Sequence, residues 1–164
     1  MIGLLSMIFY NINAQSFMPK WISYPEVDST SQIWFRQTYI TDLRPTLANI
    51  NITTTGQIEL YVNGYNVSTD TRLPYREYND RDKPICISFN VTRFLRNDSN
   101  TIAVWYSPSY PHIDSRQISL NYSGTMPDGE NFSYNANDEW ICRKANISLT
   151  TDGEEEFTSP SNDA

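Results

Sequence analysis

Two stretches of the 164-residue sequence gather the residue types that recognise sugars. LPYREYNDRD (73–82) carries Tyr75, Arg76, Tyr78 and Asp80, and YSPSYPHIDSR (106–116) carries Tyr106, Tyr110, His112, Asp114 and Arg116. A flat aromatic face suits the C–H side of a pyranose ring, while planar polar side chains suit its hydroxyls. Both stretches read as loops, and loops held on a rigid scaffold carry much of binding function. The same tyrosines could instead pack beneath their own loops or against a neighbouring domain. Tyr75, Arg76, Tyr78, Tyr110, His112 and Arg116 are therefore the candidate carbohydrate contacts.

Catalytic chemistry is harder to assemble. Glycoside hydrolysis asks for two carboxylates roughly 5 to 10 Å apart across a cleft. Asp138 and Glu139 are adjacent, and neighbours in a strand point to opposite faces, so the pair reads as a solvated loop before Trp140. His112 is the sole histidine, which excludes a multi-histidine metal centre and leaves no motif for a Ser–His arrangement. SGTMPDGEN and TTDGEE lack the spacing of phosphate-binding loops. Asp128, Asp138 and Asp152 could lend oxygens to calcium, but no ordered D-x-D-x-D loop is present. No cofactor is expected, with calcium the one metal left open.

A net charge of −7 argues against nucleic acid, whose affinity rests on Lys and Arg neutralising phosphates. Aromatics at 13%, with 11 Tyr and 4 Trp, exceed what a minimal core needs. The opening MIGLLSMIFYNINAQ resembles a secretory signal peptide cut after Ala14, which implies a secreted, periplasmic or cell-surface protein. A misassigned start or an ordinary first strand would look similar. That run is too short to span a bilayer and no other long apolar stretch follows, so no membrane span is expected. In an exported protein Cys86 and Cys142 could pair, or they could remain two buried thiols. Seven N-x-S/T sequons would carry glycans only in a eukaryotic source.

The elements that must position these residues are strands. IWFRQTYI (33–40), LANINITTT (47–55), QIELYVNG (57–64), PICISFNV (84–91), NTIAVWYS (100–107) and QISLNYSG (117–124) are bounded by turn-forming residues. Period-2 phasing puts Ile58, Leu60 and Val62 on one face, then Ile85, Ile87 and Phe89, then Ile118, Leu120 and Tyr122. Each sheet should bury one face, which predicts an all-β fold: an antiparallel two-sheet sandwich or jelly roll with a single core. Asn63-Gly64 predicts a type I′ hairpin turn, Val91–Asp98 a short helix, and GEEEFTSPSNDA a mobile tail. The division is then a leader at 1–14, a sandwich at 15–152 and an acidic segment at 153–164. Trp34, Trp105 and Trp140 read as core or sheet-face residues, and Trp21 as a pin for the N-terminus.

WISYPEVDSTSQIWFRQTY, QIELYVNGYNVST, FNVTRFLRNDSNTIAVWYSPS and DEWICRKA, in that order, resemble the N-terminal non-catalytic β-sandwich of bacterial α-L-rhamnosidases. The resemblance runs from Trp21 to about Glu154. It implies a galactose-binding-like jelly roll that touches carbohydrate or supports a catalytic domain, without being an enzyme itself. The family's (α/α)₆ catalytic barrel would lie beyond this chain, so no catalytic residue carries over.

Overall fold

A computed structural model describes residues 20–28, 30–70, 83–108, 116–145 and 158–163. Among these residues eleven strands follow one another: β1 Trp21–Ser23, β2 Ile33–Thr41, β3 Leu47–Thr54, β4 Gln57–Val62, β5 Tyr65–Asn66, β6 Ile85–Asn90, β7 Asp98–Ser107, β8 Ile118–Thr125, β9 Asn131–Asn135, β10 Ile141–Lys144 and β11 Ser161–Asp163. They form two antiparallel sheets, one of six strands in the order β11-β1-β8-β3-β6 with β9 also on β8, the other of five in the order β10-β2-β7-β4-β5. The expected sandwich is present.

The core lies where the inward phases meet. Ile50, Ile52, Leu120 and Tyr122 from one sheet face Phe35, Leu60, Ile102 and Val104 from the other, and all are buried. Each such side chain contributes roughly 1.5–3 kcal/mol of hydrophobic stabilisation. Trp140 is fully buried, just before β10, whereas Trp34 and Trp105 are half-buried on the outer face of the five-stranded sheet. The Arg116 guanidinium sits 5.7 Å from the Trp21 ring, which ties β1 to the loop preceding β8.

The Asn63-Gly64 turn is type I′ in form, with φ of 51° and 84°, and joins Val62 to its partner Tyr65. Asn63 also anchors it. Its amide Nδ2 donates to the Phe94 carbonyl and to Asn100 Oδ1, each at 2.9 Å, while its Oδ1 accepts the Thr101 N–H at 2.9 Å. Asn100 in turn accepts the Arg96 N–H at 2.8 Å and donates to the Arg96 carbonyl at 3.0 Å. The two asparagines of the family-like segments are thus each other's partners. A Cβ on Gly64 would meet nothing within 4 Å, so the cost of a side chain there is conformational. Gly64→Val is expected to destabilise by about 1 to 3 kcal/mol, checked by the denaturation midpoint; an unchanged midpoint contradicts the turn.

Between Val91 and Asp98 the structure has only a 3₁₀ turn, Thr92–Phe94, where the sequence predicts a short helix. Thr92 Oγ1 accepts the Ala48 N–H at 2.9 Å, and Asp98 leaves the turn at a φ of 70°. Leu95 is buried and Phe94 packs beside the core, as its apolar spacing suggests. Where the sequence predicts a mobile tail, β11 pairs with β1 and Thr158 bridges to Cys142. Backbone pairing to an open edge needs no apolar pattern, so hydropathy could not announce it. Cys142 is buried and Cys86 is exposed on the opposite sheet, so the thiols are free, and only one is buried.

Asp28 organises the β1–β2 connection. Its carboxylate accepts the Ser31 hydroxyl at 2.6 Å, the Ser31 N–H at 2.5 Å and the Thr30 N–H at 2.9 Å, with Lys144 Nζ at 3.4 Å. The Ser31 hydroxyl, then the Ser31 and Thr30 amides, hold the carboxyl well below the usual carboxylate range. A depressed folded-state value means the stabilisation is present above the unfolded value of about 3.9 and fades as pH falls below it. The melting-temperature gap between wild type and Asp28→Asn should therefore be widest near neutrality and close toward pH 2. A gap that is constant with pH contradicts this role.

Candidate carbohydrate-binding surface

Inward Ile58, Leu60 and Val62 force Glu59 and Tyr61 outward on β4, and inward Ile102, Val104 and Tyr106 force Trp105 outward on β7. Register then sets them in rows. Arg143, Trp34, Trp105 and Glu59 lie directly opposite one another across β10, β2, β7 and β4. Arg36, Ala103, Tyr61 and Asn66 form the next row. Small Ala103 lets Tyr61 reach the Trp34 ring edge-on, with centroids 5.3 Å apart. The result is an aromatic platform of Trp34, Trp105 and Tyr61.

Beside Trp105 the surface sinks into a hollow of about 250 Å³, lined by Gln57, Ile58, Glu59, Asn66, Ser68, Thr69 and Trp105. Its polar wall is held by its own bonds. Tyr61 donates its hydroxyl to Glu59 Oε2 at 2.6 Å, and Asn66 Nδ2 donates to the same oxygen at 3.4 Å. Asn66 Oδ1 accepts the Ser68 hydroxyl at 2.5 Å and the Ser68 N–H at 3.0 Å. The bond to Glu59 keeps the Tyr61 phenol above its ordinary value, so Tyr61 remains a donor and Glu59 its acceptor. Side chains fixed in this way present polar groups to a ligand at little ordering cost.

Both loops singled out in the sequence leave from this rim. Residues 71–82 follow the Ser68–Asp70 turn, and residues 109–115 lie between Pro108, just past Ser107 of β7, and Arg116. Ser107 pairs with Gln57, and the Arg116 carbonyl accepts the Thr55 hydroxyl at 2.6 Å, so both stems of the second loop flank the start of β4. Tyr75, Arg76, Tyr78, Tyr110 and His112 themselves lie outside the described residues. Arg116 is exposed and stands over Trp21. Sequence reading missed Gln57, Glu59 and Asn66, although the inward phase of β4 already assigns Gln57 and Glu59 to the outer face.

The hollow's described lining holds one carboxylate, Glu59, whereas glycoside hydrolysis uses a pair. Asp138 and Glu139 are exposed, the latter accepting Gln37 Nε2 at 3.3 Å, as expected for a solvated loop before Trp140. Asp128 caps its own turn by accepting the Glu130 N–H at 3.0 Å, and Asp152 lies outside the described residues. No group of three or more His, Cys, Asp or Glu able to hold a metal occurs among the described residues. No helix among them is long and apolar enough to cross a membrane.

No protein-family model matches the sequence, and no curated protein does. Solved structures do match. An α-L-rhamnosidase from Dictyoglumus thermophilum aligns over 80% of this chain at 18% identity, with a TM-score of 0.65. That of Streptomyces avermitilis, complexed with L-rhamnose, aligns over 87% at 16% identity, with a TM-score of 0.67. This chain has the fold of one part of those enzymes. It spans 17% of the first chain and 14% of the second. A Pleurotus ostreatus lectin also aligns, over 87% of this chain and 40% of its own, at 17% identity and a TM-score of 0.62.

Proposed function

We propose that the chain is a non-catalytic accessory β-sandwich of a secreted α-L-rhamnosidase-like glycoside hydrolase, and that it contacts carbohydrate at the Trp105 hollow. One observation carries the reading: a half-buried indole face stands beside a self-bonded Glu59–Asn66–Ser68 wall, at the rim from which both tyrosine-bearing loops depart. A pyranose stacks on Trp105 and gives hydroxyls to Glu59 Oε1 and Gln57. Trp34 and Tyr61 extend the platform for further sugar units. The L-rhamnose complex of the Streptomyces enzyme and the GalNAc complex of the Pleurotus lectin support sugar as the ligand class. A catalytic glycosidase domain is the expected partner of such a module.

Stacking on an open surface is weak, so a monosaccharide should bind no tighter than about 1 mM, or about −4 kcal/mol. Longer polysaccharides containing rhamnose or galactose should bind more tightly, because several units engage the platform at once. A titration of the full chain against such a panel tests this, and failure of every member to bind would overturn it. Export is part of the same reading, supported by the apolar opening. N-terminal sequencing of protein from its own host should begin at Gln15; a retained Met1 contradicts it.

A further inference from the structure

The opposite end of the sandwich carries a different surface. β9 extends the six-stranded sheet past the cover of the other sheet, so its inward residues are only partly enclosed: Tyr134 leans on Tyr39 with centroids 5.2 Å apart yet remains 44% exposed. Across from it, Ile40 is 77% and Leu43 53% exposed. Between these residues runs an open groove of about 500 Å³, also lined by Asp42, Asp128 and Glu130 and by no Lys or Arg among the described residues. Exposed aliphatic side chains of this size suit an apolar partner better than a sugar hydroxyl.

Among the described residues, the strand bordering the groove also has one edge unpaired. β9 pairs with β8 alone among the described strands. The Ala136 N–H donates to the Leu120 carbonyl at 2.8 Å and the Met126 N–H to the Glu130 carbonyl at 2.8 Å, which makes the even-numbered pairs of this ladder the hydrogen-bonded ones. In an antiparallel ladder the alternate residues turn their N–H and C=O groups the other way. Asn131, Ser133 and Asn135 therefore present theirs to the open edge, beside an apolar groove with an acidic rim.

We propose that this groove receives an extended strand of a partner polypeptide, rich in Lys or Arg, which adds to β9 and lays its aliphatic face against Leu43 and Tyr134. Main-chain bonds to an open edge supply affinity and alternate side chains supply choice, as in other cases of strand addition. The carboxylates select a cationic strand. A second copy of this chain fits poorly, since it would bring its own Asp128 and Glu130 to the rim and carries a net charge of −7.

The probe is a synthetic peptide alternating lysine with valine and leucine, compared with its glutamate counterpart, using the full chain. Hydrogen exchange read by NMR should show the amides of Asn131, Ser133 and Asn135 slowed at least tenfold by the lysine peptide and unchanged by the glutamate one. Combined Asp42→Asn, Asp128→Asn and Glu130→Gln substitution should weaken the lysine peptide at least tenfold without moving the melting temperature. Trp105→Phe should leave it unaffected. Equal effects of the two peptides, or protection away from these amides, would overturn strand addition. Slowing of the same amides by a neutral oligosaccharide would make the groove a second sugar site instead.

Discussion

Trp105→Ala is expected to lower the affinity of the full chain for a responding polysaccharide by roughly thirtyfold, about 2 kcal/mol, the scale of an aromatic hot spot. Among the described residues that line the hollow, the indole supplies the only large flat face. Truncation also strips cover from Trp34 and Tyr61, which meet edge-on at 5.3 Å, so some loss of stability accompanies the loss of binding. Two comparisons separate these effects. Trp105→Phe keeps a face and should lose severalfold less affinity, whereas Tyr61→Phe removes only the donor to Glu59 and should weaken binding while the melting temperature holds. If Trp105→Ala binds as wild type does, measured by isothermal calorimetry below its melting temperature, the hollow is not the site.

The largest effect on stability belongs to Asn100. It is fully buried and satisfies Arg96 N–H, Arg96 C=O and Asn63 Nδ2. Asn100→Ala leaves the Arg96 N–H and C=O without this partner and takes one of the two acceptors from Asn63 Nδ2, which keeps the Phe94 carbonyl; each buried unpaired group costs about 1–3 kcal/mol, part of which water entering the vacated space returns. The expected loss is about 2–4 kcal/mol by chemical denaturation. Because Asn63 shares the network, the double variant with Asn63→Ala should cost clearly less than the sum of the two single variants. Additive costs would mean that the asparagines act separately and that the turn is not held from below.

That network explains why two short motifs, VNG and N-x-I-A-V, are visible as sequence at all: they are the two ends of one buried clamp. The long central strands were equally readable, because burial of one face imposes period 2 on β3, β4 and β7. β1, β9 and β11 were not. They are three to five residues long, and β9 reads as NFSYN because its inward side is incompletely covered. Backbone pairing at an edge leaves little mark on side-chain choice.

The site was half readable for a related reason. A tryptophan facing out of a sheet and one facing in have the same neighbours in sequence, so Trp34, Trp105 and Trp140 could be placed only as core or sheet face; three-dimensional packing divides them, with Trp140 alone fully buried. Asn66 gave no signal of this role because it depends on β5 folding back on β4, which sets Asn66 opposite Tyr61. The tyrosine loops drew attention by composition, and their stems border the hollow.

The most direct test uses the four tryptophans as reporters of place. In a proton–nitrogen spectrum of the full chain, assigned by single Trp→Phe variants, the indole N–H signals are followed while a rhamnose- or galactose-containing oligosaccharide is added. The Trp105 signal should shift in a saturable way, with Trp34 following more weakly and buried Trp140 unmoved. Binding detected by calorimetry with Trp105 unchanged, or no oligosaccharide moving any indole, would contradict a sugar site at the hollow.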